Sequence, residues 1–218
     1  MVSYIVIEDI CKTSKDEFIL DHITLRLKKG KTYGFVGHNG SGKSMLFKAI
    51  CGLVHINSGV IKVNNKRIGK DIDFIDEAGV IIESPEFINS LTGPDNLRLL
   101  AEIQNKISEK EIMAVFQKVG LKGHEDKKVG KYSLGMKQRL RIAQAIMEDP
   151  PILILDEPFN GLDKKGVEEI HRLLLQYKRD GKTILLTSHH ESDIRILCDI
   201  VYELDKGKVI GEREGTSA

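Results

Sequence analysis

An α/β fold, with an antiparallel β portion near the N-terminus and a block of helices inserted between strands, is predicted by three features of the sequence. Thr32–Val36 is a short apolar strand that runs into a Gly-rich turn and then a helix starting at Lys43. Ile152-Leu153-Ile154-Leu155 is apolar without alternation, as a central strand buried on both faces must be. Between 84 and 149 the periodicity changes from that of strands to that of helices.

Taken in order, Ile5, Ile7 and Ile10 open the chain in a short apolar pattern, and Ile23-Thr24-Leu25-Arg26-Leu27-Lys28 alternates as a half-buried strand does. Lys29-Gly30 turns the chain into the third strand, Thr32–Val36. The helix from Lys43 carries Leu46, Phe47 and Ile50 to a stop at Cys51-Gly52, and further strands are expected at 60–63 and 79–82. Thr92-Gly93-Pro94 precedes Leu97, Leu99, Leu100 and Ile103, which puts Pro in the first turn of a helix, where its missing N–H costs nothing. Ser108 with Glu111 three residues on is a capping box. Ile112, Val115, Phe116 and Val119 follow at helical spacing until Gly120, and a third helix begins near Ser133. After Pro150-Pro151 come the strand Ile152–Leu155, a helix over 167–178 and the apolar strand Thr183–Thr187. A hairpin follows, made of 200–204 with Val209 and Ile210 around Lys206-Gly207, and the polar tail from Gly211 is expected to fray. The chain reads as a single domain, 1–218, with an α/β core in 1–83 and 150–218 and a helical subdomain in 84–149.

Composition narrows the function. Lys and Arg total 33 against 32 Asp and Glu, a net charge of +1, which excludes a protein built chiefly to neutralise nucleic-acid phosphates. Trp is absent and aromatics are 6%, so no extended base-stacking platform is expected. The longest stretch without a charged residue, 49–61, has 13 residues, short of the ~18 that a membrane span needs. The start has neither the basic region nor the apolar core of a signal peptide. Cys11, Cys51 and Cys198 are too few and too scattered for a disulfide framework or a zinc site, and free thiols fit a reducing cytosol.

Gly37-His38-Asn39-Gly40-Ser41-Gly42-Lys43-Ser44 matches G-x-x-x-x-G-K-[ST] with a strand before it and a helix after it. In that setting the glycines let successive N–H groups face inward as an anion nest, and the helix start at Lys43 adds its dipole. Lys43 is placed to reach β- and γ-phosphate oxygens and Ser44 to offer a hydroxyl to Mg²⁺; with Met45 next in the helix, these residues are the candidate ATP-binding set. Mg²⁺ has to be held from a second side, and Asp156 at the end of the Ile152–Leu155 run supplies the carboxylate. Glu157 directly after it is placed to act on the water that attacks the γ-phosphate. His189, or His190 beside it, follows Thr183–Thr187 at the sheet edge where open α/β sheets bind ligands. The fold class is thus a P-loop NTPase core with a mixed sheet, an N-terminal antiparallel β portion and a helical insertion.

These motifs together resemble the ATP-binding cassette (ABC) ATPases over nearly the whole chain. Tyr132-Ser133-Leu134-Gly135-Met136-Lys137-Gln138-Arg139 is similar to the family signature, Asn160-Gly161-Leu162-Asp163 to its D-loop, and Thr187-Ser188-His189 to its switch-histidine segment. The resemblance implies that Ser133, Leu134, Gly135 and Met136 contact the ATP of a second subunit in a head-to-tail homodimer or pseudo-dimer, with Asp163 in the D-loop. Ser133 is in any case a good N-cap for a helix carrying Met136, Leu140, Ala143 and Met147.

Three departures from the family pattern stand out. Leu134 and Met136 replace the usual Gly and Gln of the signature, and Glu83 stands where the family has a glutamine; the resemblance makes Glu83 a candidate metal residue with Ser44 and Asp156, since its carboxylate keeps an oxygen for Mg²⁺ or the attacking water while losing the amide donor. The aromatic residue that stacks on adenine is missing near Ser14, with Phe18 the nearest substitute. The words Ile82-Glu83-Ser84-Pro85, Leu91-Thr92-Gly93-Pro94-Asp95-Asn96-Leu97 and the signature segment are similar to ATPase subunits of bacitracin- and lantibiotic-type exporters. The resemblance implies a Mg²⁺-dependent ATPase that drives a separate integral-membrane permease, peripheral on the cytoplasmic face, without direct nucleic-acid binding. The alternative is a soluble ABC ATPase acting on the ribosome or nucleic acid.

Overall fold

A computed structural model of the chain describes residues 3–15, 17–83 and 86–215. The first half contains strands β1 (Ser3–Ser14), β2 (Glu17–Lys28) and β3 (Thr32–Val36), helix α1 (Lys43–Cys51), strands β4 (Ser58–Val63), β5 (Lys66–Arg67) and β6 (Ala78–Ile81), and helix α2 (Gly93–Gln104). There follow α3 (Glu109–Lys118), a single 3₁₀ turn at Val129–Lys131, α4 (Leu134–Ile146), β7 (Ile152–Leu155), α5 (Lys164–Arg179), β8 (Thr183–Thr187), α6 (Glu191–Leu197), β9 (Ile200–Asp205) and β10 (Lys208–Glu214).

The strands form two sheets. One is antiparallel, in the order β2-β1-β4-β5; the other runs β10-β9-β3-β8-β7-β6, parallel throughout except for the antiparallel edge strand β10. Non-alternating apolar strands are explained by cores on both faces of the larger sheet. Ile152 and Ile154 of β7 face the cluster that includes Ile5, Ile7, Phe47 and Ile50, while Leu153 and Leu155 face the cluster that includes Leu97, Phe116 and Leu140. On the first face Phe35 meets Phe47 edge-on at 5.3 Å, a contact worth about 0.5–1.5 kcal/mol beyond its buried area. On the second, α4 lies so close to β6 that a Cβ on Gly79 would stand 1.7 Å from the Ala145 carbonyl oxygen.

Helix starts follow the caps. Thr92 and Ser108 each form a reciprocal capping box, with Asp95 and Glu111, and Pro94 sits in the first turn of α2 where its missing N–H is harmless. Ser133 caps α4 through Met136 N–H, and Asp163 caps α5 through Gly166 N–H. Helices α2, α3 and α4 fall within 84–149 and share one apolar cluster with the sheet; Ser84 and Pro85, at the expected start of that block, lie outside the described residues.

The C-terminal tail and the shortest elements, among them β5 and the 3₁₀ turn, differ from expectation. The tail does not fray at Gly211: β10 stays paired with β9 out to Glu214, opposite Ile200, because the hairpin register carries on past the apolar residues. Helix α6 has no counterpart in the sequence reading, since seven residues are too few to display a helical period.

Candidate functional site

The loop from Gly37 to Gly42 joins β3 to α1, and Gly37 is required there. Its φ is +146°, and a Cβ would lie 2.1 Å from the Leu204 carbonyl oxygen. Lys43 folds back over the loop: its ammonium donates to the Gly37 and His38 carbonyls, both at 2.8 Å, and approaches Ser41 Oγ at 3.4 Å. Burial lowers the Lys43 pKa, opposed by the charges of Glu157 and Asp156. Helices α2 to α5 each have a side-chain cap, whereas α1, with Gly42 at its N-cap, and the seven-residue α6 have none; at α1 the free first-turn N–H groups suit an anionic ligand.

Sheet order brings β7 and β8 alongside β3, and their C-terminal ends supply the rest. Ser44 Oγ donates to Asp156 Oδ2 at 2.5 Å, a short charge-assisted bond. Thr187 Oγ1 donates to Asp156 Oδ1 at 2.7 Å and accepts the Glu157 N–H at 2.8 Å. Glu157 has φ of 50°, a left-handed conformation that costs a non-glycine residue energy. Its Oε1 lies 3.3 Å from His189 Nε2 but accepts no hydrogen bond among the described residues. Burial raises the Glu157 pKa; the His189 charge lowers it, the Asp156 charge raises it, and hydrogen bonding with the His189 backbone and Thr187 lowers it, leaving it above the ordinary carboxylate value.

Asn39, Gly40, Gly42, Lys43, Ser44, Met45, Asp156, Glu157 and His189 line one cavity of about 240 Å³. Ile19 of β2 lines it too, whereas Phe18 is half exposed with its ring 6.3 Å from that of His22. Glu83 is not among the lining residues; its carboxylate pairs with the Lys48 ammonium. Nor do Ser133, Leu134, Gly135, Met136 or Asp163 line this cavity. Leu134, 63% exposed, packs against Gly161.

Three contributors were not assigned roles from the sequence. Thr187 grips both carboxylate residues, and its signals are a hydroxyl ending an apolar strand and a place in the Thr187-Ser188-His189 segment. Gln138, buried in α4, donates to the Pro158 carbonyl at 2.9 Å and so ties the signature helix to the segment after Glu157. Ile19 left no signal beyond its place in a β pattern.

The oxygen donors fit a hard cation. The Ser44 hydroxyl and Asp156 carboxylate converge at an anion nest, and Mg²⁺ is held by one or two carboxylates together with substrate phosphates. Among the described residues there is no cluster of three or more His, Cys, Asp or Glu that would form an all-protein metal cage.

Fold and site together define a P-loop nucleotide-binding cassette. A family model described as "ABC transporter" matches residues 20–160, and the chain belongs to this family as an ABC transporter ATP-binding protein. It is 44% identical over 201 residues to the uncharacterized ABC transporter ATP-binding protein YybJ of Bacillus subtilis (strain 168), covering 92% of each chain. It is 36% identical to the lantibiotic transport ATP-binding protein SrtF of Streptococcus pyogenes, over 95% of this chain and 90% of that one. To the bacitracin transport ATP-binding protein BcrA of Enterococcus faecalis it is also 36% identical, over 94% of this chain and 67% of that one. Among solved structures, the dimeric bacterial ABC transporter cassette MJ0796 superposes with a TM-score of 0.87 at 25% identity, covering 96% of this chain and 98% of that one. The cbiO1 subunit from Clostridium perfringens, part of the ABC transporter complex cbiONQ, gives 0.82 at 28% identity over 99% and 90% of the two chains.

Proposed function

We propose that this chain is the Mg²⁺-dependent ATPase subunit of an efflux system, driving a separate integral-membrane permease that exports a peptide antibiotic or other small amphiphile. The observation that carries the reading is the convergence of Lys43, Ser44, Asp156, Glu157 and His189, from three separate stretches of chain, on one cavity. Gly37 to Ser44 and the first turn of α1 hold the triphosphate through backbone N–H groups, with the Lys43 ammonium on the β- and γ-phosphates. Ser44 and Asp156 hold Mg²⁺, which neutralises phosphate charge when bound. Glu157, made more basic by burial, accepts the proton of the attacking water, and His189 orients it and donates to the γ-phosphate.

The signature residues Ser133 to Met136 lie off this cavity, which supports their use in trans, in a head-to-tail dimer that sandwiches two ATP molecules. A dimeric cassette of the same fold adds support. Residues 84–149 act as the helical subdomain, and the segment from Glu83 to Asn96 meets the permease. No helix among the described residues is long and apolar enough to cross a membrane, so in this reading the chain is peripheral on the cytoplasmic face through its partner. The export of a peptide antibiotic rests on the lantibiotic and bacitracin relatives.

Affinity purification of the tagged chain from solubilised native membranes tests the reading. Stoichiometric recovery of one integral-membrane protein is the expected result. Co-sedimentation with ribosomes and no membrane partner would overturn it.

A further inference from the structure

Behind His189 lies a buried polar network that the reaction, as described, leaves without a task. His171 on α5 is 9% exposed and Asp193, in the first turn of α6, is 3% exposed. His171 Nε2 stands 3.0 Å from Asp193 Oδ1, and Ser188 Oγ donates to Asp193 Oδ2 at 2.6 Å. The same Ser188 oxygen accepts the His190 N–H at 3.0 Å, and the His190 carbonyl accepts the Asp193 N–H at 3.1 Å. His189 is therefore flanked by two residues tied to Asp193, Ser188 through its hydroxyl and His190 through its backbone.

The network also reaches the glutamate. The His171 ring meets Phe159 edge-on at 4.8 Å, and Phe159 lies two residues after Glu157. On the near side Thr187 binds both Asp156 and the Glu157 N–H. One imidazole on α5 thus meets the segments that flank both members of the Glu157–His189 pair: 188–190 through Asp193, and the stretch after Glu157 through Phe159.

Burying a carboxylate costs several kcal/mol unless it is paired, and apolar side chains join two helices at no such cost. Burial alone would raise the Asp193 pKa, but the bonds from His171 and Ser188 hold it below the ordinary carboxylate value, so it remains an anion. A fixed anion with both oxygens bonded suits holding a backbone in one geometry, where misplacement by an ångström slows a reaction on the order of a hundredfold.

We propose that His171, Asp193 and Ser188 are positioning residues that lock 188–190 so that His189 stays beside the Glu157 carboxylate. The proposal rests on the ATPase reading for its effect on rate, but not for the lock itself, and the test separates the two. Ser188→Ala removes one hydroxyl, and Ser188→Thr restores it. In the full-length chain, Ser188→Ala should lower kcat for ATP on the order of tenfold, with KM changed less than about twofold, and Ser188→Thr should recover most of the loss. In a His189→Ala background the same change should cost less than about twofold, because its effect runs through that ring. Equal factors in both backgrounds would overturn the proposal. By hydrogen exchange, the His189 and His190 amides of Ser188→Ala should open about tenfold faster while β8 and α5 keep wild-type rates. Unchanged exchange at 189–190, or uniform acceleration across α5 and α6, would equally defeat it. Absent wild-type turnover counts against the ATPase reading, and the exchange rates still decide whether the network holds His189.

Discussion

Glu157→Gln should stop ATP turnover and, at neutral pH, make the nucleotide-free fold more stable. Three structural terms set the size of the gain. The Glu157 side chain is only 18% exposed, its Oε1 accepts no hydrogen bond among the described residues, and Asp156 places a like charge beside it. An unsatisfied buried polar group costs about 1–3 kcal/mol, more when charged. Against this, glutamine forfeits the attraction to His189, whose ring is 47% exposed and charged only when protonated, so the loss is about 0–1 kcal/mol. The net gain is about 0–3 kcal/mol, or up to about 12 °C in Tm for a chain of this size.

The pH dependence supplies the sign. Because the folded-state pKa of Glu157 is raised, its contribution to stability is fully present below the unfolded value and lost as pH rises through the folded value. The gap between variant and wild type should therefore vanish near pH ~3, where Glu157 is neutral in both states, and open as pH rises toward ~8. Differential scanning calorimetry across that range, with phosphate release measured on the same samples, is the assay. A Tm below wild type at neutral pH, or a gap that widens on acidification, would refute the electrostatic argument; surviving turnover would put the base elsewhere.

Other outcomes follow from the same geometry. Lys43→Ala removes an ammonium that bonds loop carbonyls and faces the phosphate nest, so ATP affinity measured by calorimetry should fall about 10- to 100-fold, at ~1.5–3 kcal/mol for a charged hydrogen bond. Gly79→Ala forces a Cβ into the Ala145 carbonyl, and separating α4 from β6 should cost about 1–3 kcal/mol, read as a lower urea midpoint. With Ile19 rather than an aromatic ring lining the cavity, ATP and GTP should bind with comparable affinity in competition experiments; a strong preference for ATP would require a base contact from outside this cavity.

Much of the site was legible because its signals are local. The run Gly37 to Ser44 states its own chemistry: strand, glycines, lysine and helix start are contiguous, and the anion nest is a property of that short backbone. The Ser108–Glu111 capping box and the doubly buried β7 are likewise set by spacing and hydrophobicity within a few residues, and both formed as expected. Asp156 and Glu157 could be paired with the loop in advance because a strand that ends in carboxylates has one useful place in such a sheet.

What lay beyond reach was decided by contacts between distant segments. Phe18 and Ile19 are adjacent in β2, so their side chains take opposite faces, and only the strand's register against its neighbours settles that Ile19 meets the cavity. Glu83 carries a residue type suited to Mg²⁺, but the packing of α1 places Lys48 within reach of its carboxylate. Thr187 acquires its grip on Asp156 and Glu157 from the neighbouring β8 and β7 strands, 31 and 30 residues apart in sequence. Sequence alone determined the residue types and the local frames that make an ATP site, because nests, caps and strands arise from neighbours along the chain. Only the tertiary structure decided which carboxylate meets which hydroxyl, because hydrogen bonds act over about 3 Å and no sequence pattern sets distances that small between separate strands.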